Sequence, residues 1–276
     1  AFERCGVFVT GGRDVAGWAS EWRVRATDLV DRIVSFIFGK PAICALCGAP
    51  LPKKAGVRPK DPYLGLDFAE SGVCDSCLDK LSSEMSWVCR ICGAPVRPPL
   101  WTCQDCLKNM YQFDAQRSAG IYQGELREAI GRMKYQGERW LSRPLAYLMA
   151  RASREFLPVD FLIPVPIDPG SARHRGYNQA LDLAKDLSAL LRVPVLDILQ
   201  REKRYAHQAE LGRNMRWKNL LESMRPKRDV NLTGARVLLV DDVTTTGATL
   251  DEAARVLKGL GATRVYCVTV ARTMRR

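Results

Sequence analysis

The sequence has no apolar run approaching the roughly 18 residues needed to cross a bilayer, so no membrane-spanning helix is expected. The nearest candidate, LVDRIVSFIFGKPAI at 29–43, is broken by Asp31 and Arg32 and reads as an amphipathic helix leading into a domain. The layout of a secretory signal is also missing. Residues 1–28 carry no clear hydrophobic period and are expected to form a disordered extension. Without export, thiols stay reduced: paired cysteines then favour metal over disulfides, and a cytoplasmic location is expected.

What is present is ordinary in bulk and uneven in detail. Of 276 residues, 47% are apolar and 26% charged, enough for one large domain or two unequal ones. Net charge is +12. Residues 200–276 hold 16 Lys+Arg against 8 Asp+Glu, and 201–228 alone hold nine against three. Such a basic segment attracts phosphates, on a small molecule or on a nucleic acid; the plainer reading is a solvated basic helix face.

Eight of the ten cysteines fall in four C-x-x-C pairs: Cys44/Cys47, Cys74/Cys77, Cys89/Cys92 and Cys103/Cys106. The phrase C-x-x-C-G-A-P occurs at 44–50 and again at 89–95, an internal duplication of a metal knuckle. Each knuckle offers two thiolates from one tight turn, so eight cysteines fit two structural zinc sites with no open position for water. Sequential pairing is expected: Cys44, Cys47, Cys74 and Cys77 on one ion, Cys89, Cys92, Cys103 and Cys106 on the other. Crossed pairing of the first knuckle with the third, and an iron–sulfur cluster, are the alternatives. Cys5 lies outside the cluster, and Cys267, within RVYCVTVA, reads as a buried core thiol.

Composition changes near 110, which divides the chain into a leader (1–39), a Cys-, Pro- and Gly-rich module (40–110) and an α/β domain (111–276). In the last, strands are expected at 118–122, 159–166, 193–199, 235–242 and 264–271. Helices are expected at 124–137, 141–156, 176–192, 209–224 and 247–262. This alternation implies a parallel sheet flanked by helices, with ligands bound beyond the carboxyl ends of the strands.

One stretch at such an end is chemically specific. RVLLVDDVTTTGATL (236–250) closes an apolar strand with Asp241 and Asp242, then turns through hydroxyls and Gly247 into a helix. The first amides of that helix have no backbone partners and, with threonine hydroxyls and the helix dipole, form a cradle for a phosphate. Gly247 allows close approach. Two carboxylates would repel the same phosphate unless they face something else, and vicinal hydroxyls or a hydrated magnesium ion would both suit them. The pattern therefore asks for one ligand carrying a phosphate next to a diol. The plainer reading is a helix capped by Thr246 behind two solvent-facing acids.

Two further segments carry cations near strand ends. IPVPIDPGSARHRGYNQALDLA (163–184) sets Pro166, Arg173, Arg175 and Gly176 before a helix N-terminus, a second anion site or merely surface charge. QREKRYAHQAELGRNMRWKNL (200–220) lies between a strand and a helix and carries Arg201, Lys203, Arg204 and His207. Tyr205 and Trp217 interleave with its basic residues, as in single-stranded DNA binders.

VLLVDDVTTTGAT resembles the 5-phosphoribosyl-1-pyrophosphate (PRPP) motif of type I phosphoribosyltransferases. That resemblance implies that Asp241 and Asp242 contact the ribose 2- and 3-hydroxyls, and that Thr244, Thr245, Thr246, Gly247, Ala248 and Thr249 wrap the 5-phosphate. It also implies Mg2+ on the pyrophosphate and ribose oxygens. Residues 163–184 resemble the family's pyrophosphate loop, through Pro166, Arg173, Arg175 and Gly176. Residues 200–220 stand where the family carries a mobile loop, and Arg201, Lys203, Arg204 and His207 are the candidates there to neutralise the leaving pyrophosphate. His207 is a candidate general acid or an exposed loop histidine. The order of four knuckles, YQGELREAIGRMKYQG, RHRGYNQA and the PRPP motif is similar to the ComF family, over roughly 40–272. Met133 stands where a leucine is frequent. The resemblance implies a type I phosphoribosyltransferase core with an N-terminal double zinc ribbon, associated with competence for DNA uptake. Two activities follow: phosphoribosyl transfer to an acceptor, or non-catalytic PRPP binding with the zinc module docking a helicase or DNA-processing protein. Single-stranded DNA binding by 201–228 would be additional.

Overall fold

A computed structural model describes residues 8–9, 13–14, 43–51, 64, 71–201 and 223–274. Near the start, β1 (Phe8–Val9) and β2 (Arg13–Asp14) form a short antiparallel pair. The expected leader helix at 29–43 lies outside the described residues except for Ile43. The cysteine-rich segment contains α1 (Asp75–Glu84) and α2 (Gln104–Lys108). The α/β part runs β3 (Ala115–Ile121), α3 (Gly124–Tyr135), α4 (Ser142–Ser153), β4 (Phe161–Pro164), α5 (Pro169–Arg175) and α6 (Gln179–Leu191). It continues through β5 (Leu199–Arg201), β6 (Met224–Pro226), β7 (Arg236–Thr244), α7 (Ala248–Gly259) and β8 (Arg264–Arg272).

The expected parallel sheet is present, in the order β3-β8-β7-β4. Its central strands are apolar on both faces because helices cover both. Along β7, Leu238 and Val240 join a core built with Leu145, Met149, Leu183 and Leu187, whereas Val237 and Leu239 join one built with Leu250, Ala253 and Leu257. β8 alternates likewise, with Val268 and Val270 on the first face and Val265 and Cys267 on the second. Full burial on both sides is what a parallel sheet requires, and it explains the uninterrupted apolar runs. Cys267 is the core thiol its strand suggested, with no exposed surface.

The structure corrects two expected elements. The strand expected over 193–199 is two pieces. Around Val195 the chain makes one parallel bridge to Leu162, and it then leaves the sheet to pair Leu199–Arg201 antiparallel with Met224–Pro226. The bridge uses the Leu162 amide to the Pro194 carbonyl and the Leu196 amide to the Leu162 carbonyl. Pro194 lacks the donor that would extend the ladder before it and Pro164 of β4 the donor that would extend it after, which confines this segment to a brief edge contact. The helix expected over 209–224 lies outside the described residues up to 222, and Met224 belongs to a strand.

The two duplicated C-x-x-C-G-A-P knuckles, 44–50 (first) and 89–95 (second), dock differently with their partner cysteines. Cys44, Ala45, Leu46, Val73, Cys77, Leu78 and Leu81 share a core with Leu126, Ala129, Ile130 and Met133 of α3. The second knuckle lies along the free edge of β3, where the Gln116 amide donates to the Ile91 carbonyl at 2.7 Å. Arg117 Nη1 reaches the Arg90 carbonyl at 3.1 Å. An exposed strand edge is thereby covered. Gly48 and Gly93 are equivalent turn positions, with φ of 73° and 67°. A Cβ on Gly48 meets nothing within 4 Å, but on Gly93 it would lie 2.5 Å from the Gln116 carbonyl oxygen. Gly48→Ala should therefore cost only the left-handed backbone penalty, about 1–2 kcal/mol. Gly93→Ala should cost about 3 kcal/mol or more, since backbone must also move. Urea unfolding of the two variants checks the difference.

Candidate functional site

The knuckle duplication extends to hydrogen-bond geometry. In the first, the Cys44 amide donates to Ala49 at 2.7 Å and Gly48 to Cys44 at 2.9 Å; in the second, Cys89 donates to Ala94 at 2.7 Å and Gly93 to Cys89 at 2.9 Å. Cys74 and Cys103 are the N-caps of α1 and α2, and their amides donate to the sulfurs of Cys44 and Cys89, both at 3.3 Å. Each quartet thus joins a turn knuckle to a helix start, where the helix dipole favours thiolate.

The sequential sets come together: Cys44, Cys47, Cys74 and Cys77 in one, Cys89, Cys92, Cys103 and Cys106 in the other, with all ligand atoms of a set within 4.8 Å. The Cys47–Cys74 and Cys92–Cys103 sulfur separations are 3.7 and 3.6 Å. A tetrahedron with Zn–S bonds of about 2.3 Å has an edge of about 3.8 Å, so the donor sets fit zinc. Burial opposes ionisation of Cys44, but amides of Cys74, Cys47 and Leu46 bring its thiol down to about 7. Burial and the neighbouring sulfurs push Cys77 up. Four crowded sulfurs cannot all ionise unaided, and a dication resolves that conflict.

At the carboxyl edge of the sheet, β7 delivers Asp241 and Asp242. Asp241 Oδ1 accepts from the Asp242 amide at 2.8 Å, which turns the first carboxylate back along the strand end. Asp242 pairs with Lys134 of α3, Nζ to Oδ2 at 2.8 Å, with side chains only 14% and 12% exposed. Desolvation, then the neighbouring Asp242 charge, raises Asp241 to about 7. Lys134 and Arg201 oppose that rise, which places Arg201 in electrostatic reach of the acid pair.

The following turn has the form expected of a cradle. Thr244 ends β7, buried, and its carbonyl accepts from the Thr273 amide at 3.0 Å. Thr245 is exposed, Thr246 and Thr249 are half-buried, and Gly247 is the N-cap of α7 at φ 83°. Thr246 Oγ1 accepts from the Ala248 amide at 3.3 Å. Beneath the turn lie Tyr111 and Phe113, stacked at 4.6 Å; a Cβ on Gly247 would meet their rings at 3.4 and 3.6 Å.

The neighbouring loop leaves β4, whose Pro164 pairs in register with Val240, so Val165 and buried Pro166 stand beside the acid pair. α5 is capped by Asp168, whose Oδ1 accepts from Gly170 at 2.9 Å, and ends at Gly176, φ 73°. Asn178 caps α6, accepting from Ala180 at 3.1 Å and donating to the Val165 carbonyl at 3.1 Å. Side-chain caps therefore already use part of the amide sets expected to bind an anion, and the arginines expected in this loop are Arg173, exposed, and Arg175, half-buried. Arg175 reaches the Tyr135 hydroxyl at 3.2 Å, and the Tyr177 hydroxyl donates to the Met133 carbonyl. The C-terminus of α3 thus touches both the acid pair and this loop. Lys203, Arg204 and His207 lie outside the described residues, as do Tyr205 and Trp217; Arg201 ends β5.

Lys134 and Tyr111 were not legible as site residues, although Lys134 lay inside the phrase YQGELREAIGRMKYQG that marked α3.

Elemental analysis should find two zinc ions per chain, and Cys→Ser in either quartet should leave one. Asp241 has its folded-state pKa raised to about 7 from the ordinary carboxylate range near 4, so its stability cost appears as pH rises through 4 and is complete above 7. Asp241→Asn should therefore stabilise the unliganded protein by about 1–3 kcal/mol at pH 8 and by little at pH 4, as read by thermal melts.

Residues 178–276 match the model of the phosphoribosyl transferase domain family. Competence protein F of Haemophilus influenzae is 34% identical over 216 residues, covering 75% of this chain and 93% of that protein. DNA utilization protein YhgH of Salmonella typhimurium is 28% identical over 243 residues, covering 85% and 98%. A purine phosphoribosyltransferase structure from Pyrococcus horikoshii aligns over 48% of this chain and 83% of its own, at 21% identity and a TM-score of 0.33. Given the four cysteine knuckles, the parallel sheet with its acid pair, and the similarity to competence protein F, the chain belongs to the ComF family of competence-associated proteins with a phosphoribosyltransferase-like domain.

Proposed function

We propose that the protein binds PRPP with Mg2+ and transfers its phosphoribosyl group to an acceptor, in the cytoplasm and in the service of DNA uptake. The observation that carries this reading is the turn at 241–249: a half-buried and a buried carboxylate, Asp241 and Asp242, followed directly by a glycine-opened helix N-terminus. In this reading Asp241 and Asp242 take the ribose 2- and 3-hydroxyls. Thr244, Thr245, Thr246, Gly247, Ala248 and Thr249 hold the 5-phosphate by hydroxyls and amides. Pro166, Arg173, Arg175 and Gly176 frame the pyrophosphate, and Arg201, Lys203 and Arg204 neutralise it as it leaves. Mg2+ would supply charge neutralisation on the pyrophosphate and ribose oxygens. The chain's own part is positioning and exclusion of water, since a phosphoribosyl cation-like state exposed to water is hydrolysed. In the same reading the chain divides into a leader (1–39), a double zinc ribbon (40–110) and a transferase-like domain (111–276).

A second reading has one specific observation in its favour. Leu100, Trp101, Leu107 and Met110, all on the second cysteine segment, are 55%, 48%, 73% and 95% exposed. An apolar group of this kind on a small rigid module favours docking of a protein such as a helicase or other DNA-processing factor. PRPP would then be a bound signal and not a substrate, and the basic 201–228 segment would add single-stranded DNA binding.

Calorimetry with PRPP and Mg2+, followed by pyrophosphate release against a panel of nucleobases and amines, separates the two. Transfer predicts binding plus release with at least one acceptor; binding with no release for any acceptor leaves the docking reading. The double substitution Asp241→Asn/Asp242→Asn should weaken PRPP binding roughly a hundred-fold, since two charge-assisted hydrogen-bond sets are lost. Unchanged affinity in that variant would remove the acid pair from the site.

A further inference from the structure

The segment between α2 and β3 carries the last ligands of the second quartet at one end and underlies the 244–249 turn at the other. Cys106 lies in α2, and Tyr111 packs against the cluster of Cys89, Cys92, Cys103 and Cys106. From there the Tyr111 hydroxyl donates to the Thr246 carbonyl at 3.3 Å, its ring lies beneath Gly247, and the Gln112 amide donates to Asp251 in the first turn of α7. On the other side of the quartet, the guanidinium of Arg272, 2% exposed, donates to the Cys92 carbonyl. Arg272 pairs in register with Thr244, the first residue of the turn. The second quartet and the turn therefore share two connections, one through Tyr111 and one through Arg272.

We propose that Tyr111 is a positioning residue for the 244–249 turn, and that through it the second four-cysteine centre sets how tightly the turn holds a phosphate. The inference deepens the proposed function and rests on the turn being a phosphate cradle. An amide cradle binds well only if its N–H groups already converge on one point, because the order imposed on binding is subtracted from affinity. Gly247 has no side chain with which to hold the turn, so convergence must come from what lies under it. Tyr111 and Phe113 supply that floor, and the Thr246 carbonyl is fixed by the tyrosine hydroxyl. The quartet in turn fixes Tyr111, since metal ligation by Cys103 and Cys106 would lock α2 and the chain that leaves it.

Tyr111→Phe keeps the ring and removes only the hydroxyl, and it leaves every cysteine in place. PRPP affinity in Mg2+ should fall about three- to ten-fold, the value of one hydrogen bond. Zinc content and melting temperature should stay near wild type, while amides of 246–250 exchange with deuterium several-fold faster and those of β4 do not change. Cys103→Ser should give the same local loosening, larger, with one zinc fewer. Wild-type exchange at 246–250 together with wild-type PRPP affinity in Tyr111→Phe overturns the proposal, whatever the cysteine variant does. If the wild-type chain itself fails to bind PRPP, the proposed function falls, and the exchange comparison still decides whether the second quartet and the turn are coupled.

Discussion

The ion pair between Lys134 and Asp242 joins the three parts on which the site depends. It lies near the carboxyl end of a strand of the central sheet, it is made by the helix against which the first cysteine knuckle packs, and it lies next to the turn into α7. With both side chains mostly buried, breaking it would leave a charge unpaired in a poorly solvated place, which is far costlier than losing a surface pair. α3 is therefore anchored at both ends. Lys80 of α1 pairs with Glu125 at its start, and Lys134, Tyr135 and the Met133 carbonyl tie its end to the acid pair and to the Arg175–Tyr177 loop.

The cysteine segments then act as two supports rather than one appendage. The first lies behind α3 and so behind the acids; the second lies along β3 and beneath the turn at Gly247. Each is a small unit with little apolar core of its own, the situation in which a metal replaces a core. Duplicating one knuckle supplied both supports, and the tighter fit at Gly93 than at Gly48 shows how far the second copy has been fitted to the sheet.

Much of this was legible because it is local. Each copy of the knuckle phrase is complete within seven residues, the two-face burial of the strands gives continuous apolar runs, and the acid pair and glycine of the turn lie within seven residues of sequence, 241–247. The order of strands in the sheet was not written there, nor was Lys134, because an isolated lysine near a helix end is ordinarily solvated. Tyr111 is 135 residues from its Thr246 partner, and only the fold brings them together. The strand expected over 193–199 keeps only its bridge at Val195, because Pro194 on the segment and Pro164 on β4 each lack a donor that would extend the ladder, and β-propensity read from Val193, Val195 and Leu196 outweighed those missing donors. The expected helix at 209–224 took in Met224, whose place in β6 depends on a pairing with Arg201 that no local pattern announces.

Tolerance of the acid pair itself has a physical reason. Lys134 compensates Asp242, but Asp241, half-buried beside a second carboxylate, is pushed to about 7, so near neutral pH it is held at a cost to the folded state. Nothing in the packing of β7 needs a carboxylate there. The residues before it on the strand, Val237 to Val240, are aliphatic, and Asp241 Oδ1 serves the next amide, which an asparagine would serve equally. A group that destabilises the free protein, in a duty that an uncharged residue could fill, is explained by a ligand that relieves it. Hydroxyl donors or a cation at the strand end would do so, and an anion would not. Under the proposed function, the phosphate would then be held further along, by the amides after Gly247, and the separation of acids and turn would match a ligand with a diol at one end and a phosphate at the other.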